Sequence, residues 1–179
     1  MLTMRTRRIE NELLLLEALQ RLNPKRLRLA REGEIVSLEV DGFSALRHAP
    51  VADESMSEAV ASRHSFRIAF PRYYPTMPAE VYLDAPVFHP NVNPDNGFVC
   101  LWIRHRVQTT LERTLAQLQQ VLAWDKLNVD ANHVVQSDAL DWYARQGVKD
   151  RLPLHFVPLA PVQSHAWDFG HAPARRRLS

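Results

Sequence analysis

The chain contains one cysteine, and that cysteine lies close in sequence to an asparagine in a His-Pro-Asn run. Cys100 follows Asn91 by nine residues and has no second cysteine with which to form an internal disulfide. The residues from Asn91 to Gly97 are turn formers, and a short apolar stretch begins at Phe98. We therefore expect an irregular flap that returns the sulfur to the neighbourhood of the Asn91 amide. A thiol and an amide N–H in one small space suit acyl transfer, because sulfur can carry the acyl group while the amide stabilises the oxyanion.

Length and composition favour one domain with a tail. A chain of 179 residues that is 46% hydrophobic can bury one good core. We assign residues 1–147 to that domain and residues 148–179 to a proline-rich C-terminal extension that is partly disordered. The apolar part of the extension, from Leu152 to Val162, is suited either to pack on the domain or to dock a partner.

The charge and hydropathy patterns argue against several classes of function. A formal net charge of +2 gives no argument for nucleic acid binding, although arginine supplies 19 of the 22 basic residues. No run approaches about 18 consecutive apolar residues, and the N-terminus lacks the apolar core of a secretory signal. We therefore expect no membrane association and a cytoplasmic protein, in which a free thiol stays reduced.

Two kinds of periodicity divide the chain into helices and strands. Apolar residues at helical spacing predict helices over residues 5–22, 110–124 and 138–146, the second behind a Thr109-to-Glu112 capping box. Alternation predicts four strands, near residues 27–31, 36–40, 66–70 and 81–83. From Gly42 to about Ser62 we expect a long loop with a helical turn near residues 57–60. This order predicts an α+β fold with an antiparallel meander.

The order of these elements, together with four short motifs, resembles the ubiquitin-conjugating enzymes. The motifs are Phe-x-x-x-Phe-Pro from Phe66, Tyr-Pro-x-x-Pro from Tyr74, the run His89-Pro90-Asn91 and the flap cysteine. The resemblance covers about residues 5–147. It implies the ubiquitin-conjugating (UBC-like) fold, with an N-terminal helix, a four-stranded antiparallel meander, an active-site flap and C-terminal helices.

The resemblance also implies an acyltransferase with a thioester intermediate. In that family the cysteine, here Cys100, accepts the C-terminus of a ubiquitin-like protein from an ATP-dependent activating enzyme. It then passes the ubiquitin-like protein to a lysine or another amine of a protein substrate. The conjugating enzyme itself needs no cofactor and no metal. An unperturbed thiol has a pKa of about 8.5, and a thioester exchanges readily, so the resemblance requires no dedicated base beside Cys100.

Further site residues are carried over from the family. By this resemblance Asn91 supplies an oxyanion-stabilising or flap-ordering amide, His89 braces the loop through hydrogen bonds, and Pro90 fixes its geometry. Asp130 is the closest match to the family's acidic residue that orients the attacking amine. Asp125 and Asp138 also lie near in sequence.

Two more groups of residues have structural or docking roles by the same resemblance. Tyr74, Pro75 and Gly97 shape the site. The first turn of the first helix docks the activating enzyme through three basic residues: Arg5, Arg7 and Arg8.

The chain departs from the family pattern at several points. The spacing from Asn91 to Cys100 is one residue longer, the segment from Ile103 to Thr110 is short and lacks Trp-x-Pro, and the loop over residues 46–63 is expanded. With the arginine-rich composition, these departures resemble bacterial relatives found beside ubiquitin-like, activating and deubiquitinase-type proteins. A deubiquitinase-type peptidase in the same pathway and a role in antiviral defence are hypotheses that follow from this likeness.

Three other interpretations stay open at the level of sequence. A catalytically silent binding module of the same fold would hold a ubiquitin-like protein, although such relatives usually lack the flap cysteine. Cys100 could be a buried packing residue, as free cysteines often are. A cysteine hydrolase would pair Cys100 with His105 or His133 as base. The histidines of the tail complete no tetrahedral metal set, so we expect no metal site.

Overall fold

A helix begins the folded part of the chain where the apolar spacing predicts it. The computed structural model describes residues 3–50, 55, 58–130, 132–146, 152 and 154–162. Helix α1 spans Met4–Leu22, and the Thr3 hydroxyl caps it by accepting the Thr6 N–H. Its core-facing apolar side chains are Ile9, Leu13, Leu16 and Leu19.

An antiparallel meander of four strands follows α1, and it confirms the fold predicted from the alternating sequence. The strands are β1 (Leu27–Glu32), β2 (Ile35–Leu46), β3 (Val60–Ala69) and β4 (Glu80–Leu83), hydrogen-bonded in that order. Gly33 turns the chain between β1 and β2 with a φ of 61°. Alternate side chains of β2 and β3 bury one face of the sheet against the helices.

Strands β2 and β3 are longer than the sequence predicts. The predicted loop from Gly42 to about Ser62 is wrong at both ends, because β2 continues to Leu46 and β3 begins at Val60. The pairing shifts register between Asp41 and Ala45, and Gly42 has a φ of 83°. A glycine that bends a strand in this way resembles a turn in sequence, which explains the error. Val60 belongs to β3, so no helical turn includes it, and Ser57 lies outside the described residues.

Two helices follow the meander close to their predicted bounds. Helix α2 spans Leu111–Leu122, and helix α3 spans Ser137–Gln146. The N-cap of α2 is Thr110, whose hydroxyl accepts the Arg113 N–H. The predicted capping box is therefore wrong, and Glu112 instead accepts the N–H of Val162 at 2.8 Å.

The C-terminal segment over residues 154–162 packs on the domain. Phe156 forms a β-bridge with Phe43, and Ala160 exchanges hydrogen bonds with the Asn23 side chain at 2.8 and 3.0 Å. Of the two alternatives for this segment, packing on the body is the one observed. Residues 163–179, which include much of the predicted disorder, lie outside the described residues.

The hydrophobic interior consists of a main core and a smaller satellite cluster. The main core fills the space between the sheet, α1 and α2. The satellite cluster underlies the His-Pro-Asn run and α3, and its buried members are Leu46, Ala59, Phe88, Trp124, Ala139 and Trp142. Among the described residues, no helix is both long enough and apolar enough to cross a bilayer.

Candidate active site

The flap that carries Cys100 is a tight loop closed by backbone hydrogen bonds. The Asn93 N–H donates to the Phe98 carbonyl at 2.8 Å, and the Asn93 carbonyl accepts the Gly97 N–H at 2.9 Å. Gly97 has a φ of 73°, and a Cβ placed on it would lie 2.0 Å from the Leu83 carbonyl oxygen. Only glycine fits this position, because the flap there runs against the backbone of β4.

Asn91 joins the flap to the loop that precedes α3. Its carbonyl accepts the Cys100 N–H at 2.8 Å, so the flap returns the cysteine to this residue. Its side-chain amide donates to the carbonyls of Asn128 and His133 at 2.8 and 3.1 Å, and its Oδ1 accepts the Asn128 N–H at 2.9 Å. Both amide hydrogens are therefore engaged, and the side chain is only 1% exposed. Of the two roles carried over for Asn91, this geometry favours ordering of the loop.

His89 is fully buried beneath the flap. Its Nδ1 accepts the Asn91 N–H at 3.0 Å, and its ring packs edge-on against Trp124 with centroids 4.8 Å apart. Burial lowers the pKa of His89 to about 3, so the imidazole is neutral at physiological pH. The next residue, Pro90, contributes its carbonyl, which accepts the N–H groups of Val135 and Gln136 at 2.8 and 3.2 Å.

The Cys100 thiol is half-buried and contacts an imidazole. Its Sγ lies 3.2 Å from Nδ1 of His133. Burial raises the pKa of the Cys100 thiol, and a hydrogen bond from the Trp102 backbone offsets only part of that effect. The thiol form therefore predominates at neutral pH. A proton acceptor within hydrogen-bond reach can remove the thiol proton and so generate the nucleophilic thiolate.

Cys100 lines an open groove of about 460 Å³. The groove runs between the segment that follows the flap and the end of α2. Its charged side chains are Arg104, Asp125 and Lys126, and the Lys126 ammonium donates to Gln117 Oε1 at 2.8 Å. A groove of this size can hold a few residues of extended peptide beside the sulfur.

Asp130 lies on the turn that carries His133. Its carbonyl accepts the His133 N–H at 2.8 Å, and its carboxylate accepts the backbone and side-chain N–H groups of Asn132. The carboxylate is exposed, and the contacts recorded for it stabilise the turn. Asp125 is the aspartate that lines the groove with Cys100.

Tyr74 and Pro75 support the site indirectly, through contacts with other residues. The Tyr74–Pro75 peptide bond is cis, and the buried Tyr74 ring packs edge-on against Phe70 with centroids 4.9 Å apart. The Pro75 carbonyl contacts Nε2 of His105 at 2.8 Å. Of the two histidines considered as bases for Cys100, the structure thus places His133 at the thiol and His105 beside Pro75.

The three arginines of the first turn have different surroundings. Arg5 pairs with Glu34 at 2.7 Å and donates to the Phe70 carbonyl. Arg8 pairs with the buried Glu12 at 2.7 Å, whereas Arg7 is exposed. Two of the three guanidinium groups therefore make contacts within the chain.

His133 is the site residue whose pairing the sequence could not single out. It is separated from Cys100 by 33 residues, and the intervening α2 gives no periodic signal that connects them. Within the described residues, no group of three or more His, Cys, Asp or Glu side chains is placed to hold a metal ion.

Comparison with solved structures identifies the class of this fold. Among solved structures, a protein described as a ubiquitin conjugating enzyme from Trypanosoma cruzi matches with a TM-score of 0.59 at 19% identity, covering 82% of this chain and 94% of that one. A second, from Plasmodium yoelii, matches with a TM-score of 0.55 at 14% identity, covering 83% and 88%. The fold is therefore that of the ubiquitin-conjugating enzymes.

Sequence comparison finds similarity to the same class of protein. The family model for ubiquitin-conjugating enzymes matches residues 60–146, a range that includes the flap, Cys100 and α3. A curated relative, ubiquitin-conjugating enzyme E2-18 kDa of Drosophila melanogaster, is 29% identical over 133 residues, which cover 68% of this chain and 85% of the relative. Over these ranges the chain is similar to the ubiquitin-conjugating enzyme family, as a divergent relative.

Proposed function

We propose that this chain forms a thioester between Cys100 and the C-terminus of a ubiquitin-like protein, and then transfers that protein to an amine. The ubiquitin-like protein comes from an activating enzyme, and the acceptor is a lysine or another amine of a protein substrate. The observation that carries the proposal is that Cys100 lines an open groove while its backbone is tied to Asn91. A cysteine retained only for packing would not need access to such a groove.

Asn91 acts in this proposal as a loop-ordering residue. Its amide holds the carbonyls of Asn128 and His133, so its loss frees the wall of the groove on the acceptor side. We expect thioester formation to survive in Asn91→Ala, because the Cys100 N–H bonds to the Asn91 backbone. Discharge to an amine should slow by roughly 10²-fold, as a displacement of about 1 Å of the groups around a reacting centre can cost.

The acidic group that assists the acceptor amine is proposed to be Asp130 or Asp125. Asp130 follows from the family pattern, whereas Asp125 follows from its place in the groove. His89 and Gly97 hold the flap, and Pro90 holds the segment immediately before α3, by the contacts described above. Tyr74 and Pro75 fix the segment behind it.

A cysteine hydrolase is the second candidate, and the Cys100–His133 contact of 3.2 Å favours it. A hydrolase would pass the acyl group to water, whereas a conjugating enzyme passes it to an amine. Cleavage of a ubiquitin-like C-terminal aminomethylcoumarin amide, abolished in Cys100→Ala, would support the hydrolase. The binding module differs from both, because it would form no adduct at Cys100.

The test is a non-reducing gel with ATP, a ubiquitin-like protein and its activating enzyme, starting with partners encoded beside the gene. We expect a shift that a reductant removes in the wild type, a shift that resists the reductant in Cys100→Ser, and no shift in Cys100→Ala. Asn91→Ala should retain the shift but discharge slowly to free lysine. Absence of any shift with partners shown to be active would contradict the proposal and favour the binding module.

The cellular setting is part of the same proposal. A cytoplasmic location follows from the reduced thiol that the reaction needs. The bacterial origin, the deubiquitinase-type peptidase and the antiviral role extend the proposal to a pathway, and they rest on the departures of the sequence from the family pattern. Detection of a conjugate in cells that carry the neighbouring genes, and its loss in Cys100→Ala, would test them.

A further inference from the structure

Asn91 brings the cysteine and the histidine together from two different loops. Its backbone carbonyl holds the Cys100 N–H at 2.8 Å, and its side-chain amide holds the His133 carbonyl at 3.1 Å. His133 is fixed a second time by its own N–H, which donates to the Asp130 carbonyl at 2.8 Å. Hydrogen bonds therefore fix the backbone on both sides of the Sγ-to-Nδ1 contact of 3.2 Å.

Of the titratable side chains described around the Cys100 thiol, His133 is the one within hydrogen-bond distance of the sulfur. Along the groove the charged groups are Arg104, Asp125 and Lys126, and the Lys126 ammonium is bonded to Gln117. On the histidine's own turn the charged group is Asp130, whose carboxylate is bonded to Asn132. Beneath the flap, burial keeps the His89 imidazole neutral by lowering its pKa to about 3.

We propose that His133 is the general base that serves Cys100, and this inference rests on the function proposed above. A neutral imidazole that accepts a proton at Nδ1 carries its own proton at Nε2. Imidazole is the side chain suited to gain and lose that proton near neutral pH. The family resemblance required no such base, so the pair is a property of this chain's own loop.

In thioester formation the thiol proton of Cys100 passes to Nδ1 of His133. The Cys100 sulfur then attacks the carbonyl carbon of the incoming thioester. A new C–S bond forms to Cys100, and the C–S bond to the activating enzyme's cysteine breaks. The departing thiolate takes one proton, which His133 can return directly or through water.

In discharge the attacking neutral amine forms a C–N bond to the same carbonyl carbon, and the C–S bond to Cys100 breaks. The amine nitrogen gives up one proton to His133, and Cys100 leaves as a thiolate. Proton return from His133 to the sulfur restores the thiol and the neutral imidazole. No oxidant, metal or further reactant is needed in either step.

The first test uses the fact that Cys100 is the only thiol in the chain. The rate of alkylation by iodoacetamide, measured from about pH 5 to about pH 10, reports the reactivity of that sulfur alone. In the wild type we expect the sulfur to react already near neutral pH, because the imidazole in contact with it can take the thiol proton. In His133→Asn the rate should rise steadily with pH into the thiol range and lie roughly 10²-fold below the wild type near pH 7.

The variants are chosen to separate titration from structure. The side-chain amide that His133→Asn introduces places a polar atom close to the position of Nδ1, so the contact with sulfur can persist without titrating. His105→Gln is the matched control, because His105 is also half-buried and uses Nε2 to contact the Pro75 carbonyl. We expect the His105→Gln profile to superimpose on that of the wild type. A His133→Asn profile that also superimposes would overturn the inference.

The second test repeats the pH series with thioester formation and discharge as the readouts. Loading of the wild type and His133→Asn should differ most near neutral pH and converge at about pH 9 to 10. Loading at equal rates in the two proteins would overturn the role of His133 while leaving the proposed function intact. A His133-dependent alkylation profile without any thioester, with active partners, would instead contradict the proposed function and leave the Cys100–His133 pair in place.

Discussion

Individual side chains at this site act mainly by holding backbone. Asn91 makes hydrogen bonds through its carbonyl, its Oδ1 and both amide hydrogens, and each goes to main-chain atoms of the flap or of the loop before α3. The His89 imidazole accepts the Asn91 N–H, and the Pro90 carbonyl accepts N–H groups of the segment immediately before α3. The His-Pro-Asn run thus fixes where the backbones of Cys100 and His133 lie, while the recorded hydrogen bond to the sulfur comes from His133.

The buried ring of His89 should make stability depend on pH. Its pKa is lowered by burial to about 3, whereas an unfolded histidine titrates near about 6.5. Because the folded pKa lies below the unfolded one, the unfolded chain binds more protons between these values. The free energy of unfolding should therefore be largest above about pH 6.5 and decline toward pH 3, with a slope approaching about 1.4 kcal/mol per pH unit from this residue.

Urea denaturation at several values between about pH 7 and pH 4.5 would measure that slope. The comparison protein is His89→Asn, whose Oδ1 can accept the Asn91 N–H in place of Nδ1. We expect a shallower slope in the variant. His64 is also buried with a lowered pKa, but it is present in both proteins and cancels in the difference. Equal slopes would show that His89 is not protonated on unfolding in this range.

At the scale of elements, the flap depends on one glycine that cannot be replaced. Ala at position 97 would adopt a left-handed φ and place its Cβ against the Leu83 carbonyl. Gly33 provides a matched comparison, since its φ is 61° but nothing lies within 4 Å of an added Cβ. We expect Gly33→Ala to lose about 1 kcal/mol from backbone strain alone and Gly97→Ala to lose at least about twice as much.

Chemical denaturation of the two glycine variants gives the difference directly. The flap should also loosen in Gly97→Ala, which would change the alkylation rate of Cys100. Similar stability losses for the two variants would mean that the backbone of β4 can move away from the flap.

The first turn of helix α1 contributes one arginine to a buried ion pair and another to the exposed surface. Glu12 is 3% exposed, and it is held by the Arg8 guanidinium at 2.7 Å and by the Leu111 N–H. Removal of Arg8 would leave a buried carboxylate without its counter-ion, so Arg8→Met should cost about 3 kcal/mol of stability. Arg7 is exposed, and Arg7→Met should change stability by less than about 0.5 kcal/mol.

Further variants at Arg7 and Arg8 separate a role in stability from a role in docking the activating enzyme. We expect Arg7→Glu to slow loading of Cys100 by the activating enzyme at unchanged stability, because the proposed docking surface would then use this exposed cation. Adding Glu12→Gln to Arg8→Met should recover part of the lost stability, since it removes the buried charge. Unchanged loading in Arg7→Glu would remove the docking role from Arg7.

For the molecule as a whole, local sequence patterns predicted the helices and strands. They did not predict the contacts between residues that are distant in sequence. The apolar spacing of α1 and the alternation of β2 are repeated signals within one segment, so their types and approximate bounds followed from sequence. The continuation of β2 beyond Gly42 did not, because a bulge and a turn use the same residue type. The link between Asn91 and the loop at Asn128 is one pair of contacts across 37 residues, with no periodicity to reveal it.

The residues of the candidate site likewise divide into those that the sequence could identify and those that it could not. Cys100 and the His-Pro-Asn run could be selected because few residue types support acyl transfer and these occur within one flap. His133 could be proposed only as one of two histidines, since the choice depends on which loop Asn91 holds. The glycine at position 97 followed from the family pattern, but its reason, the approach of the Leu83 carbonyl, is a feature of the folded sheet edge.

The C-terminal segment provides the last prediction, which concerns the boundary of the domain. A domain that ended at residue 147 would not need residues 154–162, yet side chains of the body make six hydrogen bonds to this segment. These side chains are Asn23, Arg26, Glu112 and Gln119. At about 0.5 kcal/mol for each hydrogen bond, a chain that ends at residue 151 should be about 3 kcal/mol less stable than one that ends at residue 162.

Both truncated chains retain α3, so urea denaturation of the pair isolates the segment. Asn23→Asp should weaken the longer chain more than the shorter one, because the substitution removes the amide that donates to the Ala160 carbonyl only where that carbonyl is present. The Asn23 amide also donates to the Leu19 carbonyl at 2.9 Å, where Asn23 caps the C-terminus of α1. The coupling energy between the truncation and the substitution measures the Ala160 contact free of this capping role. Equal stability of the two truncated chains would return the domain boundary to residue 147, whereas the predicted loss would make the segment part of the folded domain.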